Sequence, residues 1–388
     1  MRIFLSFLQS LRSHDIPQYQ YWETYLKKGI EEAGGEWLEA PGVDWAEGLA
    51  HRDKQSLAEW RHRSWESTLT QIRKAQHGEG IDLFLSYLYP QQVDVSAIKE
   101  IQKLGIPCVN FFCDNVREFR AIPREFHCFD LHWVPEFGAL EMYRRAGLNC
   151  VHAPMPVWID PGFRTSEHRE TFGVTFVGSR DALREKLLAD ALKIGAKIEI
   201  RGAGWNGPAS ANKNGMNKSL SKKVVNQLEL VKSQGIKAPL WKMDYRRQPK
   251  ISDSVFLDSV RPSPNDAEYA TITQQSVVTL GINRYPSFRR SFSKPDRYSR
   301  LRDIEAPMMG ACYLTEWTEE LEKLYEIGEE IETYRTAEEM VEKIAELKSS
   351  NQKRQLLRRR GQKRALQDHT IGQTLKKIGS ALANQDRN

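Results

Sequence analysis

The chain has 388 residues, 40% of them apolar and 28% charged, which fits an ordinary globular protein of about two domains, each able to bury its own core. No apolar run is long enough to span a bilayer, and the opening Ile3–Leu8 stretch is short and bracketed by Arg2 and Arg12, so it reads as a first strand and not as a signal peptide, in a chain expected in the cytosol. Five cysteines (Cys108, Cys113, Cys128, Cys150, Cys312) lack CxxC spacing or histidine partners, which argues against a disulfide framework and a structural metal.

The first half alternates short apolar runs with helical periodicity. Strands are expected over Arg2–Phe7, Ile81–Ser86, Pro107–Phe112 and Leu131–Val134, and helices near Tyr19–Ala33, Asp53–Gln76, Val95–Leu104 and Phe137–Ala146. Such alternation implies a parallel sheet covered by helices on both faces. Three prolines and a glycine within Ala153–Gly162 mark a linker, so a first domain is expected over 1–160.

The pattern then restarts. Strands are expected at Val174–Val177, Lys197–Arg201, Val277–Leu280 and Ala311–Thr315, with a helix over Asp181–Ile194, giving a second domain over 161–370. Between Gly202 and Pro264 lies a Lys-, Asn- and Pro-rich insertion (203–264) with one helix expected at Leu220–Ser233, which reads as a mobile flap. Helical patterns over Thr336–Leu347, Gln352–Gln367 and Gly372–Ala383 close the chain.

A formal charge of +6 is modest, yet it is concentrated. Arg284 to Arg302 holds six arginines and one lysine against Asp296, and Lys353 to Arg364 holds seven cations and no acid. The second run reads as a solvated helix face or an anionic-surface contact. The first leads into Arg300, Arg302 and Glu305, where a polyphosphate ligand explains it better. Arg300 and Arg302 have the forked geometry for phosphate oxygens, and Glu305, one helical turn past Arg302, suits a pair of vicinal hydroxyls. The plain alternative is a surface helix with ordinary charges.

A second anion-binding pattern stands at the strand-to-helix turn Phe176–Arg184. Gly178 lets backbone approach closely, the helix N-terminus offers N–H groups, and Ser179, Arg180 and Arg184 supply donors; an ordinary helix cap is the plain reading. Two doubly wound domains would face a cleft at the carboxyl ends of their sheets, where ligands bind in such folds.

With these motifs in place the chain resembles the GT-B glycosyltransferases, nearest to those related to the spore-maturation protein CgeB. The resemblance covers most of the chain and is strongest from Arg302 to Glu316, in Thr318–Leu321, in Tyr334–Glu339 and at His369 and Thr370. It implies that Glu305 binds the nucleotide ribose and that Arg302 faces the donor phosphates. It also implies that the C-terminal helix, Ile371–Ala383 within a 371–388 tail, crosses back onto the first domain. The phage DNA β-glucosyltransferases, more distant, share the Leu-Arg-x-x-Glu pattern and a similar phosphate turn, which makes Ser179, Arg180 and Arg184 the corresponding ligands.

Asp114, just past an apolar strand, is placed to take a proton from an acceptor hydroxyl, and it matches the base of the phage enzymes' inverting transfer; an Asp-Asn helix cap is the alternative. Glu136 at the next strand-to-helix junction either touches the acceptor or caps a helix. His14 and Asp15 lie in the loop after the first strand, where acceptors often enter GT-B enzymes, or in a plain turn. Trp205 packs on a nucleobase or on the flap. His51, His62, His127 and His132 lack metal-site spacing. Trp22, Trp37, Trp45, Trp60 and Trp65 form either an acceptor surface for sugar or lipid, or helix core.

The expected function is transfer of a sugar from a nucleotide-diphosphate donor to a hydroxyl of a glycan, protein or small molecule, with inversion and without metal or other cofactor, since no DxD-type carboxylate pair stands out. Two alternatives are a DNA-modifying sugar transferase with a DNA acceptor, and a non-catalytic nucleotide- or polysaccharide-binding protein on the same fold.

Overall fold

A computed structural model of the chain describes residues 1–8, 10, 12, 14, 21–51, 53–205, 235 and 237–385. They divide into two compact units, Met1–Trp158 with Asp368–Asn388, and Ile159–Gln367. Asp15 and the expected Leu220–Ser233 helix lie outside the described residues.

The first unit holds six parallel strands: β1 (Arg2–Ser6), β2 (Glu36–Leu38), β3 (Leu83–Ser86), β4 (Cys108–Phe111), β5 (Leu131–Val134) and β6 (Cys150–His152). Their order is β2-β1-β3-β4-β5-β6. Every residue of β3, β4 and β5 is buried, as parallel strands covered on both faces require, and this is why they appear in the sequence as unbroken apolar runs. Helices α1 (Tyr21–Glu32), α2 (Lys54–His77) and α3 (Val95–Lys103) connect them. Asp53 caps α2 by accepting from Ser56 N, and Asp94 caps α3 by accepting from Ser96 N and Ala97 N. Trp45, Trp60 and Trp65 pack edge-on in the core, with Trp22 buried nearby among Tyr87 and Phe111, so the core reading of the tryptophans holds for four of the five. Trp37 is half-buried under the Lys27 ammonium, 4.2 Å from its ring centroid.

Strand order reverses between β1 and β3, so the crevice of this unit opens where those strands end. The short helix α4 (Asn115–Glu118) begins four residues beyond the end of β4.

The second unit repeats the plan with β7 (Phe172–Val177), β8 (Ile198–Arg201), β9 (Ser276–Gly281), β12 (Tyr313–Glu316) and β13 (Glu332–Tyr334) in the parallel order β13-β12-β9-β7-β8. A two-stranded antiparallel hairpin, β10 (Arg284–Tyr285) with β11 (Asp296–Arg297), projects beyond β9. Its helices include α5 (Ala182–Lys193), α6 (Ala238–Arg247), α7 (Asp266–Gln275), α8 (Arg302–Met308), α9 (Ala337–Ser349) and α10 (Asn351–Asp368). Here the reversal falls between β7 and β9, which puts the Gly178 turn and the start of the β10–β11 hairpin at the switch point. The last helix, α11 (Ile371–Gln385), returns to the first unit. It lays Ile371, Thr374, Leu375 and Ile378, one helical stripe, against α1, β5 and β6.

Two expectations change. Part of the 203–264 insertion lies against the sheet: Ile200 N donates to Ser259 O and Arg261 N to Ile200 O, which covers the edge of β8. The Lys353–Arg364 run is a solvated face only in part, at Arg359, Arg360 and Lys363. Arg358 is wholly buried, donating to the carbonyls of Gln274, Ser276 and Gly310, and it pairs with Glu170 at 3.2 Å. Arg354 forks onto the same Glu170, Arg364 reaches Glu330, and Lys353 reaches Glu332. These cations tie α10 to the sheet and to the chain entering the unit. Gly310, with φ +74°, ends α8 where any Cβ would stand 2.3 Å from Thr165 O.

Candidate functional site

In the second unit the turn after β7 is pinned against the turn after β8. Gly178 N donates to Arg201 O, Arg180 N donates to Ala203 O, and Trp205 Nε1 donates to Gly178 O at 2.8 Å. The two backbones touch because Gly202 has φ +127° and no Cβ, which would otherwise lie 2.4 Å from Gly178 O. Trp205 is buried and packs edge-on against Phe256, so its ring is used inside the unit and not as an open platform. Asp181 then caps α5 by accepting from Leu183 N and Arg184 N.

Arg184 folds back from the first turn of α5 to donate to Ser179 O and Ser179 Oγ, both at 2.9 Å, and approaches Asp181 at 3.3 Å. Burial, together with the charges of Arg300 and Arg302 beside it, pulls its guanidinium down to about 10. Three arginines from the two ends of the switch point are thus drawn to one place. Arg300 stands 5.0 Å over the Tyr298 ring, and its Nε is buried without a hydrogen-bond partner. Arg302 stands 4.7 Å over the Tyr269 ring, and the Tyr269 hydroxyl donates to Glu305 Oε2 at 2.9 Å. Tyr269 comes from α7 and is a member of the site that the sequence reading did not name. Its local signal was available, since Asn265 and Glu268 form a capping box that starts this helix.

Arg180 is engaged differently from Arg184. Its guanidinium pairs with Glu185 and Asp253, both at 2.7 Å, and its side chain is nearly covered. Two further acids hold the frame. Asp303, wholly buried, accepts from Ser299 Oγ, Arg300 N, Tyr313 Oη and Thr315 Oγ1, which fixes the start of α8 to β12. Burial pushes its carboxyl up, while those four donors pull the other way. Glu316, also wholly buried, accepts from Nε and Nη2 of the Arg284 guanidinium and pairs with Arg297 at 2.6 Å. Part of the 284–302 charge excess is therefore internal, and Arg290 is engaged by Asp296.

In the first unit Asp114 is the N-cap residue of α4, yet its side chain makes no capping hydrogen bond. The cap comes from the neighbouring strand end: Glu136 Oε2 accepts from Asn115 N at 2.7 Å. Glu136 therefore caps a helix, but the one after β4 and not the one that follows it in sequence. It is 1% exposed, and burial, with the Asp114 charge next, raises its carboxyl well above the usual range. The Asp114 charge also raises Tyr87, Tyr89 and Cys113, though burial is the larger cause for each. Tyr87 Oη lies 3.3 Å from Cys113 Sγ and 3.4 Å from Tyr89 Oη. Asp114 and Glu136 are thus gathered with neutral hydroxyl and thiol groups at the carboxyl ends of β3, β4 and β5.

His14 sits in the loop after β1, with Nε2 2.8 Å from Asp44 Oδ2, an oxygen that also accepts from Ser10 Oγ. His132 is buried among Phe126, Phe129 and Tyr143, where burial pulls its imidazole down to about 3, a core residue. Among the described residues no cluster of three or more His, Cys, Asp or Glu could hold a metal ion, and no helix is long and apolar enough to cross a membrane.

Residues 228–380 match the family model described as glycosyl transferase-like. No curated protein is similar to the chain in sequence. Among solved structures it is similar to a glycosyltransferase from Rickettsia africae (TM-score 0.58, 11% identity, 100% of this chain and 99% of that one). It is also similar to a sucrose-phosphate synthase from Thermosynechococcus elongatus (TM-score 0.56, 12% identity, 99% of each chain). A third is HepE of Anabaena in complex with UDP (TM-score 0.52, 12% identity, 99% and 100%). At such identities the likeness is one of fold. Two doubly wound parallel-sheet units and a C-terminal helix returned to the first give the chain the GT-B fold, and its 228–380 segment is glycosyl transferase-like.

Proposed function

We propose that the enzyme transfers a sugar from a nucleotide-diphosphate donor to a hydroxyl acceptor without a metal ion, in the cytoplasm, as a relative of the CgeB-like group. The observation that carries this reading is the gathering of Arg184, Arg300 and Arg302 at the switch point of the second unit, with Glu305 alongside. Three guanidiniums brought together repel one another, and a diphosphate would relieve that repulsion. HepE, whose solved structures hold UDP and UDP-glucose, makes a uridine nucleotide the first donor to try.

In this reading Glu305 accepts hydrogen bonds from the ribose hydroxyls, positioned by Tyr269. The arginines stabilise negative charge that accumulates on the diphosphate as the bond to the anomeric carbon breaks and its electron pair leaves with the phosphate oxygen. In the first unit, Asp114 accepts the acceptor's hydroxyl proton as that oxygen attacks the anomeric carbon, with inversion. The N-cap place keeps its backbone fixed while Glu136 supplies the capping acceptor.

Thermal stabilisation by a panel of nucleoside diphosphates, followed by transfer assays with chelator present, tests this. A rise in midpoint with one diphosphate, its loss in Arg302→Ala, and transfer undiminished by EDTA are expected. No response to any nucleotide, or strict dependence on a divalent cation, would sink the assignment.

A further inference from the structure

Helix α6 carries its solvent-facing stripe the wrong way round for a helix that meets only water. Its inner face is set by Ala238, fully buried, and by Tyr245, whose ring packs edge-on against Phe288 at 5.5 Å and Phe292 at 5.1 Å. Asp244, the one acid of the helix, accepts from Phe292 N at 2.8 Å. The helix is thereby fastened to the 286–295 loop of the β10–β11 hairpin. On the opposite side Leu240 is 64% exposed, Met243 is 46% exposed and Arg247 is exposed, and the spacing i, i+3, i+7 puts them in one line.

Cations surround this apolar line. Residues 237–250 contain Lys237, Lys242, Arg246, Arg247 and Lys250 against Asp244 alone, and the 286–295 loop adds Arg289, Arg290 and Lys294, with Asp296 just past it pairing with Arg290. Lys237, Arg246, Lys250, Arg290 and Lys294 are exposed. A nucleic-acid backbone would answer the charge but gain nothing from exposed Leu240 and Met243. A bilayer surface answers both, because its headgroup layer attracts cations when anionic and its acyl boundary accepts short apolar side chains.

We propose that the outer face of α6, with the adjoining 286–295 loop, docks on an anionic lipid bilayer, Leu240 and Met243 entering the interface and Arg246, Arg247, Lys250, Arg290 and Lys294 lying at the headgroups. This is peripheral attachment, independent of which sugar or acceptor the enzyme uses.

Co-sedimentation of the full chain with phosphatidylcholine vesicles, with and without phosphatidylserine, reads it directly. Binding is expected only with the anionic lipid and should weaken as salt is raised. Arg246→Gln with Arg247→Gln should cost roughly 25-fold, at about fivefold per cation near the surface. Leu240→Ser with Met243→Ser should also release the protein although no charge changes. Lys99→Gln with Lys103→Gln, exposed on the first unit, should leave binding as it was. Thermal midpoints close to that of the parent confirm that each variant folds. Failure to bind anionic vesicles overturns the proposal, as does binding that ignores the Leu240 and Met243 replacement. Duplex DNA binding lost on the same arginine variants, with vesicles unbound, would reassign the face to nucleic acid.

Discussion

Glu136 offers a direct test of the carboxyl pair at the end of β4 and β5, through Glu136→Gln and Glu136→Ala. Burial, with the Asp114 charge next, raises this carboxyl in the folded state, where it is 1% exposed, with Oε1 lacking a hydrogen-bond partner and Oε2 accepting from Asn115 N. In the unfolded chain a glutamate titrates near about 4.3. Its folded value is raised, so its contribution to stability is fully present below that unfolded value and is lost as pH rises toward the folded one. The rate of loss is about 1.4 kcal/mol per pH unit across the window. Glutamine is neutral throughout and still presents an oxygen to Asn115 N, so its stability relative to the parent should climb steadily from the ordinary carboxylate range upward. Alanine shares that pH trend but leaves the buried Asn115 N–H without its acceptor, a further cost of about 1–3 kcal/mol at every pH. Urea unfolding at a series of pH values, followed through the buried tryptophans, measures both differences. Parallel pH profiles for the parent and Glu136→Gln would refute the raised carboxyl, and equal stability of the Gln and Ala variants would refute the cap.

Arg358→Met should destabilise the second unit by about 3–5 kcal/mol, because Glu170 loses one of its two cations and the carbonyls of Gln274, Ser276 and Gly310 lose a buried donor; the urea midpoint reports it. Arg300→Ala should weaken nucleoside diphosphate binding by about 1.5–3 kcal/mol, the value of a charge-assisted hydrogen bond, measured by calorimetry against the uncharged nucleoside. The same change should leave the unliganded enzyme as stable or more so, since Arg184 loses a like-charged neighbour. A loss of stability without loss of diphosphate affinity would place Arg300 in the framework and not in the site.

How far the sequence could be read depended on how local each cause was. Strands β3, β4 and β5 are legible because both their faces are covered, so each is an unbroken apolar run. Strands β2 and β6 have three residues each, none of them fully buried, and such short edge strands leave no run to see. Positions were legible too: Asp114, Glu136 and the Gly178 turn all follow a strand of a parallel sheet, the place where such folds bind ligands. What stayed hidden was commitment. Arg284 is engaged by a carboxylate 32 residues away, Arg354 by one 184 residues away, and Asn115 N by Glu136 across 21 residues. A charge count over 284–302 weighs its six arginines equally. The fold assigns Arg284 and Arg297 to Glu316 and Arg290 to Asp296, and it sets Arg300 and Arg302 beside Arg184. The proposed diphosphate site therefore rests on the buried acids as much as on the arginines. Asp303 and Glu316 bind nothing from outside, yet Asp303 holds Arg300 N at the start of α8 and Glu316 keeps two other guanidiniums out of competition for the same anion.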